Sequence, residues 1–222
     1  INDDLLNVPR KLKLALRYLF FHSGPLAGGP SPAGAFLKSS STETRPNIQL
    51  HFLPLSLQKP GILDKFSGYT FNVSQSRPLS RGEINIISPH PTCSPEIIAN
   101  YLEDPLDKST LINGMNIARK IANATAFDQF RNSEARPGSS VNSYDEMLNY
   151  IRENSTSLYH PVGTCRMGTA DTAVVNQDLK VKGIDGLRVA DASIMPRIIS
   201  GNTNAATIMI AERAADLIKF SK

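Results

Sequence analysis

The sequence predicts a mixed α+β fold, in which an antiparallel substrate-binding sheet is flanked by helices. After one helical segment at the start, alternating polar and apolar residues follow along the chain, and helical periodicity returns after them. Hydrophobic residues make up 41% of the 222 residues, which is enough for a sizeable buried core. These features indicate an ordered protein whose strands and helices are segregated along the chain, as in the α+β class.

Four short segments carry the period-two pattern that is typical of strands. They are residues 35–37, 48–52, 69–75 and 83–87. No helical pattern lies between them, so we expect all four to pair in one antiparallel sheet with one face covered. Residues 23–33 are rich in glycine and proline and are expected to form a loop.

Helical periodicity is found in four further segments. Residues 5–21 carry spaced leucines, and Pro9 is expected either to break this helix or to start it. Residues 105–123 carry an apolar stripe. Residues 143–153 begin with a serine that is followed three positions later by a glutamate, which is a capping-box pattern. A last helix is expected at about 205–219.

Composition and charge exclude several classes of function. The net charge is only +4 and no dense run of Lys or Arg occurs, which argues against nucleic-acid binding. No apolar run approaches the ~18 residues of a membrane span. Cys93 and Cys165 cannot form a disulfide scaffold or a structural zinc site by themselves, so no metal site is expected. The scarcity of cysteine favours a cytoplasmic location.

Two segments have compositions that indicate chemistry as well as folding. In residues 159–168, His160 precedes a proline, which favours an extended backbone, and two glycines allow close bending. Residues 187–193 are expected to form a strand that ends in Asp191. The last helix is then expected to begin near Ala205, directly after Asn204, and its N-terminus is suited to an anionic or carbonyl-bearing ligand. Each feature also has a structural interpretation: a core or surface histidine, a turn aspartate and a helix N-cap.

Taken in order, these segments resemble the C-terminal signature of the glucose–methanol–choline (GMC) family of flavin-dependent alcohol oxidoreductases. The matching stretches are HPVGTCRMG, VVNQDLKVKGIDGLRVADASIMP and SGNTNAATIMIAERAADLI. Upstream, SQSRPLSRGEINIIS and PEIIANYLEDPLD extend the resemblance over most of the chain. Asn176 and Gln177 replace the family's usual Asp-Pro, and Ala206 replaces a common proline. Neither departure falls on the two catalytic positions.

The resemblance implies a role for individual residues. His160 falls on the active-site histidine beside the flavin ring, and Asn202 falls on the position of its hydrogen-bonding partner. An imidazole suits the removal of a hydroxyl proton because histidine changes protonation near neutral pH. FAD is the implied cofactor, with the flavin N5 accepting a hydride from a small-molecule alcohol of the choline or glucose type. Cofactor contacts are implied for Tyr159, Asp191, Ala192, Asn202, Thr203 and Asn204.

The resemblance also implies a domain organisation. Residues 1–155 fall on the substrate-binding domain. Residues 156–222 fall on the active-site segment and on the strand and helix that return to the Rossmann-like FAD-binding domain. The fingerprint G-x-G-x-x-G, which the family carries upstream, is not found in this sequence. We therefore expect this chain to be the C-terminal part of the enzyme, inactive without the N-terminal FAD-binding portion.

Two other classes of function are considered. A truncated homologue that acts as a non-catalytic binding or interaction module remains an alternative, although the paired His160 and Asn202 argue against it. A hydrolase built on His160 is disfavoured because the sequence has no G-x-S-x-G nucleophile turn.

Overall fold

The computed structural model describes residues 1–59 and 61–220. Its α-helices are α1 (Asn2–Leu6), α2 (Val8–Phe21), α3 (Pro105–Ala122), α4 (Tyr144–Asn154) and α5 (Asn204–Lys219). Its strands are β1 (Ala33–Leu37), β2 (Ile48–Leu53), β3 (Leu57–Lys59), β4 (Ile62–Leu63), β5 (Thr70–Gln75), β6 (Glu83–Asn85) and β7 (Glu96–Ile98). The fold is thus a mixture of helices and small sheets.

Internal contacts divide the chain into two compact units. Unit 1 comprises Ile1–Ser74 and Asn113–Ser133, and unit 2 comprises Gln75–Ile112 and Glu134–Lys222. The domain boundary expected between residues 155 and 156 concerns the organisation of the whole protein, and it stays a prediction.

Unit 1 is built on a three-stranded sheet with the order β1-β2-β5. β1 and β2 pair antiparallel, with Leu37 opposite Ile48. Alternation along β2 buries Ile48 and Leu50, and Ala118 of α3 packs in the same cluster. The close approach of α3 requires Gly114, because a Cβ atom there would lie 2.5 Å from the side chain of Val73.

The prediction of a single four-stranded sheet was wrong. β6 does not join β1, β2 and β5. It pairs antiparallel with β7 in a separate two-stranded sheet of unit 2. In unit 1, β3 and β4 form another short antiparallel pair that the periodicity did not predict. Alternation specifies which face of a strand is buried, but it does not specify which strand becomes the neighbour.

The helical predictions at 105–123 and 143–153 are confirmed by α3 and α4. The capping box of α4 is complete, because the Ser143 side chain accepts from the Glu146 N–H and the Glu146 carboxylate accepts from the Ser143 N–H. The segment 5–21 is instead divided into α1 and α2. Asn7 separates them and caps α2 through the Arg10 N–H, so Pro9 starts the second helix.

The C-terminal part of unit 2 differs from the sequence prediction in two places. Among the described residues, the expected strand at 187–193 forms a single isolated bridge, between Arg188 and Lys180. A longer strand needs a neighbour to pair with along its length. The last helix begins at Asn204 itself, and Thr203 is its N-cap, so the expectation that Asn204 would be the cap was wrong by one residue.

Two further observations bear on the excluded functions. No helix among the residues that the structure describes is both long enough and apolar enough to cross a membrane. Cys93 and Cys165 are free thiols, and Cys93 is exposed.

Candidate active site

A hydrophobic cluster in unit 2 supports both segments that the sequence indicated as chemically active. Its buried members are Val175, Leu179, Ile194, Met195, Ile210 and Ala214. Ile210 and Ala214 belong to α5, so burial of these side chains fixes the helix against the loops. Backbone hydrogen bonds join the loops themselves: the Cys165 N–H donates to the Ser193 carbonyl at 3.1 Å, and the Met167 N–H donates to the Ile194 carbonyl at 2.8 Å.

Gly163 permits this close approach. Its φ angle is +95°, a region that residues with a side chain rarely adopt, and a Cβ atom there would lie 3.3 Å from the Met195 carbonyl oxygen. The glycine therefore lets the segment that carries His160 lie directly on the turn that carries Met195. This explains physically why a glycine stands three residues after the histidine.

The structure brings His160 and Asn202 into direct contact, although they are 42 residues apart in sequence. Asn202 Nδ2 lies 2.9 Å from His160 Nε2. On the other side of the ring, Thr203 Oγ1 lies 3.0 Å from His160 Nδ1. The ring is half-buried, and both of its nitrogens are engaged by consecutive residues at the start of α5.

These contacts define a tautomer for the neutral ring. An amide nitrogen can only donate, so His160 Nε2 accepts from Asn202. The ring proton then lies on Nδ1 and is donated to the Thr203 hydroxyl oxygen. This arrangement leaves the Nε2 lone pair as the basic site of the imidazole, and this lone pair accepts from the Asn202 amide.

The other predicted site residues lie around this group in different environments. Tyr159 precedes the histidine with a φ of +59°, and its side chain is 81% exposed. Asp191 caps the 3₁₀ turn Ala192–Ile194 by accepting from the Ser193 N–H at 2.8 Å and from the Ser193 hydroxyl. Asn204 is exposed in the first turn of α5.

Sequence reasoning included Thr203 among the cofactor contacts but did not anticipate its contact with the imidazole. Three consecutive residues, Asn202, Thr203 and Asn204, are all of types that cap helices well. The sequence contains no signal that selects one of them as the cap and turns another towards His160. That selection follows from the packing of α5.

A buried carboxylate that sequence reasoning missed also supports unit 2. Asp107, in the first turn of α3, is 1% exposed and accepts hydrogen bonds from Gln75, Leu79 and Ser80. Burial raises the pKa of Asp107, but these hydrogen bonds outweigh burial and hold the pKa below its ordinary value. The loop that they fix carries Arg77, whose Nη1 lies 3.5 Å from the Ser200 hydroxyl near the start of α5.

Comparison with known proteins identifies the family. Residues 78–211 match the family model described as GMC oxidoreductase, which is more than half of the chain. The chain belongs to the GMC oxidoreductase family. This confirms the resemblance that the C-terminal sequence segments indicated.

Three similar proteins illustrate the range of the family. An alcohol dehydrogenase [acceptor] from Pseudomonas putida is 44% identical over 212 residues, 95% of this chain and 38% of its own length. An oxygen-dependent choline dehydrogenase from Yersinia pseudotuberculosis is 41% identical over 93% of this chain and 37% of its own length. A solved formate oxidase from Aspergillus oryzae, studied for modification of its FAD, has a TM-score of 0.87 at 25% identity. It covers 98% of this chain and 43% of its own.

The chain therefore spans less than two fifths of the length of the curated relatives that it matches.

Proposed function

We propose that this chain supplies the proton-handling residues of an FAD-dependent enzyme that oxidises an alcohol, with His160 as the base and Asn202 as its partner. The observation that carries the proposal is the 2.9 Å contact between Asn202 Nδ2 and His160 Nε2. The whole enzyme would also contain the FAD-binding portion that the sequence analysis expects beyond this chain. The names of the relatives, an alcohol dehydrogenase and a choline dehydrogenase, support an alcohol as the substrate class.

His160 would take the hydroxyl proton at Nε2. The Nδ1–H bond to Thr203 would keep Nε2 free of a proton before the reaction, and after proton transfer the same Nδ1–H would still have its acceptor. A positioned general base typically accelerates a reaction by ~10²–10⁴-fold, which corresponds to roughly 3–5 kcal/mol of barrier.

Asn202 would orient the substrate oxygen. At rest its amide N–H donates to Nε2, which is the position that the substrate hydroxyl must occupy. Once displaced from the ring nitrogen, the amide would donate to the substrate oxygen and direct the hydroxyl proton towards Nε2. An amide cannot act as a base, so the two residues have separate tasks.

The residues around this pair fit a flavin. The N-cap Thr203 makes no side-chain cap, so the first N–H groups of the sixteen-residue helix α5 are available, and they favour an electron-rich or anionic ligand edge. The exposed ring of Tyr159 offers a flat apolar surface. The Asp191 carboxylate can accept further hydrogen bonds besides those from Ser193. It therefore suits the ribityl hydroxyls, which can donate, better than the pyrophosphate, which is also negatively charged.

FAD, when bound there, supplies the acceptor for the hydride from the substrate carbon. Tyr159, Asp191, Ala192, Asn202, Thr203 and Asn204 are proposed to hold it.

The test uses the full-length enzyme, mixed anaerobically with a panel of primary alcohols while the bleaching of flavin absorbance is followed. His160→Ala should slow bleaching by ~10²–10⁴-fold while FAD content stays that of the wild type. His90→Ala, which removes an exposed histidine from a loop of unit 2, is the matched control and should bleach at the wild-type rate. An unchanged rate in His160→Ala would remove histidine from the role of base. A wild-type protein that binds FAD but responds to no alcohol would favour the binding module.

A further inference from the structure

The Thr203 hydroxyl has no role in capping, although it stands at the position where capping is expected. Thr203 is the N-cap of α5 and threonine is a favoured cap, yet its side chain accepts from none of the N–H groups of that helix. Its hydroxyl lies instead 3.0 Å from His160 Nδ1, and the residue is only 6% exposed. This buried hydroxyl bonds to a half-buried imidazole where a helix-capping bond is expected, and that difference requires an explanation.

The backbone around Thr203 holds this hydroxyl in a fixed position. The Thr203 carbonyl accepts two hydrogen bonds, from the Thr207 N–H at 2.9 Å and from the Thr207 hydroxyl at 2.8 Å. The first turn of α5 is therefore closed without any help from the Thr203 side chain. Asn202 is tied to the other ring nitrogen, so one turn of chain holds both sides of His160.

We infer that Thr203 is a positioning residue that selects the catalytic tautomer of His160. The inference rests on the proposed function, because it concerns the state in which the base waits for its substrate. By accepting the Nδ1 proton, the hydroxyl places the lone pair on Nε2, the nitrogen that Asn202 marks as the substrate side. Without that acceptor, a ring with its proton on Nδ1 has a part-buried donor unpaired, and the opposite tautomer becomes competitive. In the opposite tautomer, Nε2 carries the proton and cannot act as a base.

The role requires the hydroxyl and not the bulk of threonine. Thr203→Val keeps the shape and removes the hydroxyl, whereas Thr203→Ser keeps the hydroxyl. Thr207→Val is the matched control: it makes the same change one turn later in α5, where the hydroxyl bonds to the Thr203 carbonyl and the backbone N–H still satisfies that carbonyl.

The experiment measures two quantities in the FAD-loaded, full-length enzyme: the rate of anaerobic flavin bleaching by alcohol, and the protonation of the His160 ring nitrogens. The second is measured by NMR with ¹⁵N-labelled histidine, assigned by comparison with His160→Gln. The wild type should carry the proton on Nδ1. Thr203→Val should lose about tenfold in bleaching rate, the equivalent of one hydrogen bond, and gain signal from the Nε2–H form. Thr203→Ser and Thr207→Val should resemble the wild type in both measurements.

Several results would overturn the inference, and each is distinct from failure of the proposed function. If the wild-type ring carries its proton on Nε2, the inference is wrong. This result needs no variant, so it can be obtained even where Thr203→Val does not accumulate. Equal rates for Thr203→Val and the wild type, or equal losses in Thr203→Val and Thr203→Ser, would also overturn the inference. The proposed function fails separately, when His160→Ala bleaches at the wild-type rate.

Discussion

Replacing Asp107 by asparagine tests how unit 2 is held together. The carboxylate is 1% exposed, and Oδ1 accepts from Gln75 Nε2 at 2.7 Å and from the Leu79 N–H at 2.9 Å. Oδ2 accepts from the Ser80 N–H at 2.8 Å and from the Ser80 hydroxyl. Both oxygens therefore face a backbone N–H of the loop between β5 and β6.

The expected cost follows from this geometry. An asparagine has one acceptor oxygen, and its NH₂ group must take the place of the other. Whichever way the amide turns, it faces a buried backbone donor, and an unsatisfied buried donor costs about 1–3 kcal/mol. Loss of the negative charge in the first turn of α3 adds roughly 0.3–1 kcal/mol. We expect the loop to be destabilised by about 1.3–4 kcal/mol in total.

Hydrogen exchange measured by mass spectrometry reports the stability of this loop separately from that of the rest of a long enzyme. Amides in residues 75–82 should exchange about 10- to 700-fold faster in Asp107→Asn, since ~1.4 kcal/mol corresponds to a factor of ten. Asp145→Asn is the control, because Asp145 also stands in the first turn of a helix but is exposed. If residues 75–82 exchange at the same rate in Asp107→Asn and in Asp145→Asn, the hydrogen bonds of the Asp107 carboxylate do not stabilise the loop, and the reasoning is refuted.

Two further predictions concern pH and the backbone. The pKa of Asp107 lies below its ordinary value of 3.8, so its ionised form stabilises the fold at higher pH. Exchange at 75–82, corrected for the intrinsic rate, should therefore accelerate as pH falls below about 3.8 and through the lower folded pKa, and a flat profile would contradict this. Gly163→Ala should cost about 1–3 kcal/mol and slow flavin bleaching, because strain at φ +95° is combined with a close Met195 carbonyl. Gly183→Ala has a comparable φ of +79° but open space, so equal effects in thermal unfolding and bleaching rate would contradict a role for close approach.

The helices could be predicted because their signals are local. The capping box at Ser143 and Glu146 fixes the start of α4 through contacts within four residues. The sheets could not be predicted in the same way. β7 is three residues long, too short to show alternation, and nothing in residues 83–87 indicates that they pair with it and not with β5. Pairing depends on where the Asp107-bound loop directs the chain after Gln75, which is a tertiary effect.

At the candidate site, the sequence predicted the residues from their order along the chain, but it did not predict their orientation. The resemblance placed His160 and Asn202 together, and the 2.9 Å contact agrees with that placement. It did not distinguish a residue that touches a cofactor from one that holds the histidine. The contact of its hydroxyl with His160 Nδ1 supports a second proposed role for Thr203, that of holding the histidine, beside the proposed contact with the cofactor.

The residues around His160 differ in their burial. On one side, the hydroxyl of Thr203 lies 3.0 Å from His160 Nδ1, and Thr203 is 6% exposed. On the other side, Tyr159 is 81% exposed, and the side chains of Asn202 and Asn204 are exposed as well. The ring of Tyr159 and the two amide side chains are not among the buried members of the hydrophobic cluster. Because the buried hydroxyl of Thr203 contacts the ring while these exposed groups offer a flat surface and hydrogen-bond donors, the exposed side is the one that fits the FAD proposed above.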